Sequence, residues 1–334
     1  LYIISELQHN VQDMKKIFAI VIFCTACVML NAQDAVHFEF SDGIEDYVLK
    51  SKMERQISAL LTAINRAETS NSDINYWGIE IDDFASQSIG MMWNNVHFRV
   101  VDDEIVEHCL RVKTSKGAVL GYQVRNIAVE MKPLDDSYTG SLNQEVCINL
   151  DPKGVITDFN ITLGLNQYVK ISKEGERLND ADRRFQILHW VEQFQDAYGK
   201  KDIDFMEKVF SEDALIVTGK VMKRVDAQIP KPKVEYTTMG KQQYLANLRR
   251  VFTKNSYINV HFDDIEVVRH ASKPNFYGVT LRQHWSSSTY SDEGIVFIIW
   301  DFTDEEHPKI LVRTWQPMVV DDNEIFTLEK FKLS

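Results

Sequence analysis

The chain has 334 residues, 44% of them hydrophobic and 11% aromatic, which is enough for two packed cores. A net charge of -12 argues against a nucleic-acid partner, because phosphate contact needs a basic surface. No Walker loop, Rossmann glycine pattern, HExxH or GxSxG occurs, so the enzyme classes those motifs carry are excluded as well.

The first stretch reads as a targeting segment. Met14-Lys15-Lys16 is a basic start, Ile17 to Leu30 is apolar, and Asn31-Ala32-Gln33 offers a small-residue cleavage site before Asp34. Residues 1–13 then lie upstream of the start, 14–33 form a signal peptide, and the mature chain is exported to the periplasm or the cell exterior. The apolar run is too short for a membrane span. Cys24 and Cys27 leave lipidation of Cys27 as the alternative, although Val28-Met29-Leu30 departs from a lipobox. Cys109 and Cys147 are the cysteines of the mature chain, and two unpaired thiols is the simplest reading of them.

From Ile44 the pattern predicts a helix with Tyr47, Val48, Met53, Ile57, Leu60, Leu61 and Ile64 on one face, closed by a turn at Thr69 to Ser72. A second helix is expected over Asp82 to Asn94, with Phe84, Ile89, Met92 and Trp93 apolar. Strands follow at Val96–Val100, Ile105–Val112, Ala118–Met131, Glu145–Leu150 and Val155–Leu163, with a hairpin turn at Asp151-Pro152-Lys153-Gly154. Helices followed by antiparallel strands indicate an α+β unit over 34–165. A polar linker is expected over 166–180.

The second half opens on a helix capped by Asp182 and ended by Gly199. Its apolar stripe is Ile187, Trp190, Val191, Phe194, Ala197 and Tyr198, with Glu192, Gln193, Gln195 and Asp196 opposite. A short helix from Asp202 carries Met206, Val209 and Phe210, then Ser211 to Ala214 reads as a turn before a strand at Leu215. Lys220 to Lys241 holds six basic and two acidic residues around Pro230 and Pro232, a solvated loop or a grip for an anionic partner. A helix at Lys241–Asn255 and strands at Tyr257–His270, Phe276–Ser288, Ile295–Phe302 and Lys309–Gln316 complete the unit. Ser291 to Gly294 reads as one of the turns between them. Ile295 to Trp300 is apolar on both faces and so is covered on both, the second face by another domain or another chain.

The order helix, short helix, strand, loop and strand, helix, then long strands, with the phrase DIDFMEKVFSEDALI, resembles the NTF2-like family, the fold of nuclear transport factor 2 and ketosteroid isomerase. Ser72 to Trp77 echoes Lys201 to Met206 at a spacing of 129 residues (Asp73 against Asp202), so the first half is similar too, as a more divergent copy or another α+β domain. The expected architecture is therefore α+β: two NTF2-like domains, 34–165 and 181–320, each with helices on a curved antiparallel sheet, and a tail at 321–334.

The resemblance implies a cone able to hold an acid, a base or a ligand, on a fold that hosts many functions. Weak catalytic candidates are His284 and Asp301, and pocket candidates are Tyr236, Trp285, Trp300, Arg313 and Trp315. Asp213 matches a common family position and is read as a turn residue. Neither cofactor nor metal is expected: His261 and Asp263 lack a third ligand nearby, and Glu107, His108 and Cys109 alternate faces. The reading is an exported, non-catalytic binding or scaffold protein. Its partner is an unknown small molecule or protein, and a homodimer through the second sheet is allowed. The alternative is an isomerase, dehydratase or hydrolase using the second cone.

Overall fold

The computed structural model describes residues 34–113, 119–163, 167, 178–221, 234–321 and 324–331. The expected signal peptide with Cys24 and Cys27, most of the expected linker and the basic loop from Lys223 to Lys233 lie outside the described residues. Among the described residues no helix is long and apolar enough to cross a membrane.

The first unit begins with β1 (His37–Phe40), α1 (Tyr47–Ser70) and α2 (Asp83–Asn95). Asp46 caps α1 by accepting from Val48 N and Leu49 N, and Asn71 ends it in the left-handed conformation. Met53, Ile57, Leu60, Leu61 and Ile64 form the buried stripe as expected. Tyr47 and Val48 do not join it, and neither does Phe84 of α2. All three sit in a first helical turn that the caps Asp46 and Asp82 hold by hydrogen bonds rather than packing. The helix also runs through Thr69 and Ser70, which leaves a shorter turn than expected.

Strands β2 (His97–Val100), β4 (Leu110–Lys113), β5 (Val119–Lys132), β6 (Asn143–Leu150) and β7 (Ile156–Ile161) form one antiparallel sheet. Both β2 and β4 pair with β5, and β6 takes its other edge. The single strand expected at Ile105–Val112 is broken, because its first part, β3 (Glu104–Glu107), leaves to pair in parallel with β1. Gly43 makes the break close: at φ +92° it lies so near the Cys109 carbonyl that a Cβ would sit 2.1 Å from that oxygen. In the β6–β7 hairpin, Asp151 Oδ1 accepts from Lys153 N and Val155 N. Cys109 and Cys147 are buried and unpaired.

The second unit contains α3 (Leu178–Gly199), α4 (Ile203–Val209), β8 (Phe210–Val221), β9 (Val234–Gly240), α5 (Lys241–Lys254), β10 (Ile258–Arg269), β11 (Phe276–Ser287), β12 (Tyr290–Asp301) and β13 (Lys309–Pro317). Its sheet runs β10-β11-β12-β13-β8-β9, antiparallel throughout except for the parallel pair β13 and β8. Asp182 is inside α3 rather than at its cap, since nothing in Leu178 to Ala181 breaks a helix. Ser211 to Ala214, with Asp213, is no turn: β8 carries these residues through a register shift against β13. Ser291 to Gly294 likewise belongs to β12. The turn falls at Ser288-Thr289, where Asn255 Oδ1 accepts from Thr289 N, Thr289 Oγ1 and Ser288 Oγ.

On β12, Val296, Ile298 and Trp300 face the helices, and Phe297 and Ile299 face away. The outward pair is covered by the chain's own segment 324–331, through Phe326, Leu328 and Phe331, rather than by another domain or chain. The tail expected at 321–334 is thus partly built into the fold.

The side of α3 that carries Glu192 and Asp196 is buried against the first unit, and Gln195 beside them accepts from Phe262 N of β10. Arg125 of β5 and Glu192 form a two-pronged ion pair at 3.1 and 2.6 Å. Lys200 pairs with Asp196 and donates to the Phe159 carbonyl of β7 at 2.9 Å. The loop between β5 and β6 adds contacts: Tyr257 donates to Ser137 O at 2.6 Å and Ser256 to Asp135 Oδ2 at 2.8 Å.

Candidate functional site

The inner face of the second sheet changes character along its length. Around Trp300 it is closed: Trp300 is fully buried, with Trp190 and Phe302 against it. At the other end the inward side chains turn polar, because β12 continues inward through Gly294 and Asp292. Gly294 is opposite Gln283 on β11 and Pro317 on β13. A Cβ at Gly294 would meet the Trp315 indole at 2.6 Å, so the missing side chain lets Trp315 lean over this floor.

Around the floor stand Arg313, Gln283, Asp292, Trp285 and two tyrosines from the helices. Arg313 Nη2 donates to Gln283 Oε1 at 3.2 Å, and its guanidinium lies 5.6 Å from the Tyr244 ring. The hydroxyls of Tyr198 on α3 and Tyr244 on α5 are 2.7 Å apart. Trp285 meets Tyr198 edge to face at 5.6 Å. Arg313 and Gln283 are nearly fully buried.

Three polar atoms here have no hydrogen-bond partner among the described residues: Arg313 Nε, Trp315 Nε1 and Asp292 Oδ1. Buried polar groups are normally satisfied, so these three atoms carry unused hydrogen-bonding capacity. Burial pushes the Asp292 carboxyl above its ordinary range, opposed by the Tyr290 hydroxyl and the Arg313 charge. Burial likewise raises Tyr198, so it stays a neutral donor. Trp285 and Asp292 also border an open groove of about 520 Å³ at the seam between the units.

No protein-family model matches the chain, and no curated protein matches it. Among solved structures it is similar to Bd1075 of Bdellovibrio bacteriovorus, at 15% identity and a TM-score of 0.34, over 67% of this chain and 83% of that one. It is also similar to an NTF2-like protein of unknown function in nutrient uptake from Rhodospirillum rubrum, at 15% identity and 0.31, over 40% and 98%. A third is Rd1NTF2_04 with long sheet, at 12% identity and 0.26, over 38% and 97%. Likenesses this distant carry nothing about ligand or reaction. The order of helices and strands is what decides the fold. The second unit is NTF2-like.

The NTF2-like cone gathers Arg313, Trp285 and Trp315 of the expected pocket residues and leaves out the others. Trp300 belongs to the closed end. Tyr236 is on the outer face, where it accepts from Gln316 Nε2 at 2.8 Å and packs on Phe326. His284 is outside too, paired with Asp263 at 3.0 Å and opposite His261 on β10. Among the described residues no group of His, Cys, Asp and Glu is arranged to hold a metal. Asp301 accepts from Thr303 N and Oγ1 and so shapes the turn after β12. Sequence reasoning missed Asp292, Gly294, Gln283, Tyr198 and Tyr244. The signal for Asp292 was its spacing of two, four and six residues from Gly294, Val296 and Ile298 on one strand face.

Proposed function

We propose that this protein is an exported, non-catalytic binding protein whose NTF2-like unit takes a small molecule at the polar end of its cone. The observation that carries the reading is the convergence of the unpartnered Arg313 Nε, Trp315 Nε1 and Asp292 Oδ1 around Gly294, over which the Trp315 indole leans. Aromatic walls supply apolar contact, and a few fixed polar groups supply orientation, the usual build of a ligand site. Export rests on the signal-peptide pattern of residues 14–33.

Of the candidates for a catalytic role, Asp301 serves a turn, and His284 is paired with Asp263 on the outer face of the sheet, where it lines the groove beside Trp285. One observation favours the enzymatic alternative. Asp292 is a carboxyl with a raised pKa beside a cation, the kind of group an isomerase or dehydratase uses as a base. A broad ligand screen read by tryptophan fluorescence tests the binding reading, since Trp285 and Trp315 are in the site. Binding that weakens on Asp292→Asn supports it. A screen of ester, enone and hydroxy-ketone substrates showing turnover lost in Asp292→Asn establishes the alternative, and a screen with no ligand at all sinks the site.

A further inference from the structure

Arg313 is 5% exposed, and among the described residues it makes no ion pair within 4 Å. Asp292 is near enough for its charge to be felt at Arg313 but lies outside ion-pair distance, so the guanidinium is only partly neutralised, and a planar carboxylate is the anion its fork fits best. The indole donor of Trp315 lies over the same floor, at Gly294. The ligand must therefore present acceptor oxygens to both. Asp292 Oδ1 asks the opposite: it needs a donor, and a hydroxyl is the simplest.

The approach to the site is polar as well. The groove that reaches Trp285 and Asp292 has Thr139 and Ser141 of the first unit on one side, and Asn259, His261, His284, Ser286, Ser291 and Glu293 of the second on the other. Thr139 and Ser286 hydrogen bond across it at 2.6 Å. Hydroxyls, an amide, two imidazoles and a carboxylate line this path, so an apolar tail would be poorly served there. A chain of hydroxyl-bearing units would be well served, and aromatic walls inside the cone would take the carbon faces of its first ring.

We infer that the ligand is an acidic saccharide, its terminal carboxylate at Arg313 and Trp315, a hydroxyl at Asp292, and its further units along the groove between the two units. The inference rests on the reading of the cone end as a binding site and names the chemistry of what enters it. It also gives the first unit a part in binding, because Thr139 and Ser141 form one bank of the groove.

The test is calorimetry on the full mature chain with four probes: monomeric galacturonate, its trimer, the neutral galactose trimer of equal length, and phenyllactate. The acidic trimer is expected to bind tightest, with the neutral trimer weaker by about tenfold or more, as the loss of one charged hydrogen bond implies. Arg313→Gln should weaken both acidic probes. Because Arg313 is buried, Thr139→Trp serves as a second variant: it blocks the exposed bank and should weaken the trimer while sparing the monomer. Equal binding of neutral and acidic trimers overturns the inference, as does indifference of the trimer to Thr139→Trp. Phenyllactate binding without any saccharide binding also overturns it, yet leaves the cone end standing as a site. Silence from all four probes overturns it, and the broad fluorescence screen then decides the site itself.

Discussion

Arg125 Nη2 lies 2.6 Å from Glu192 Oε2, and the pair joins the first unit's sheet to the second unit's first helix out of reach of water. Glu192 also accepts from Leu163 N at 2.8 Å, so its charge is held from two directions. Arg125→Ala would leave that carboxylate buried without its cation and should cost about 3–5 kcal/mol. Replacing both, Arg125→Met with Glu192→Leu, should cost clearly less than the single change. Denaturant melts of the three variants check the order, and equal losses would mean the pair contributes nothing specific.

Trp300 fills the closed end of the cone. Trp300→Ala should lower stability by about 3–5 kcal/mol, the usual loss for a large buried aromatic. It should leave ligand binding at the polar end unchanged where the variant is folded. A loss under about 1 kcal/mol in thermal melts would contradict the packing described.

Asp292 should make stability depend on pH with a definite sign. Its folded pKa is raised by burial, so the folded state favours the protonated form. That contribution is full below the ordinary carboxyl value, about 4, and is lost as pH rises through the raised folded value. Asp292→Asn should therefore melt higher than the native chain at neutral pH, and the gap should close as the solution is acidified. A gap that stays constant with pH would contradict it.

The segment 324–331 covers Phe297, Ile299 and Val312. Truncation before residue 324 should uncover an apolar face and produce concentration-dependent association, since large exposed apolar patches seek partners. Size-exclusion chromatography of intact and truncated chains over a dilution series checks this. Identical elution of the two would show that the cover is dispensable.

Export predicts a mature chain starting near Asp34. That residue is already part of the fold, where it receives hydrogen bonds from Thr69 Oγ1 at 2.8 Å and Arg99 Nη1 at 3.1 Å. N-terminal sequencing of the native protein should find this start, and a retained Met14 would overturn it.

The elements with strong period are legible in the amino-acid pattern. The α3 stripe through Ile187, Val191, Phe194 and Tyr198 and the doubly apolar β12 follow from spacing alone. The polar end of the cone is not legible in that way, because it is written in residues that mimic turns. Ser291-Asp292-Glu293-Gly294 has loop composition, yet Asn255 pins the true turn three residues earlier, and pairing with β11 keeps the segment extended. Tyr198 and Tyr244 sit on apolar stripes, and nothing in the pattern separates a tyrosine that packs from one whose hydroxyl meets another. Glu192 and Asp196 carry the look of a wet helix face, and only the neighbouring sheet makes it dry.

The charged seam has a practical consequence. The covalent path between the two units runs through residues 168–177, while Arg125–Glu192, Lys200–Asp158 and Tyr257–Ser137 all lie elsewhere. A protease cut in that stretch would sever one bond and leave each of these contacts in place. The two halves should then travel as one particle, and separately produced fragments 34–167 and 178–334 should reassemble on mixing, as a two-chain reporter whose pieces recognise each other through matched charges.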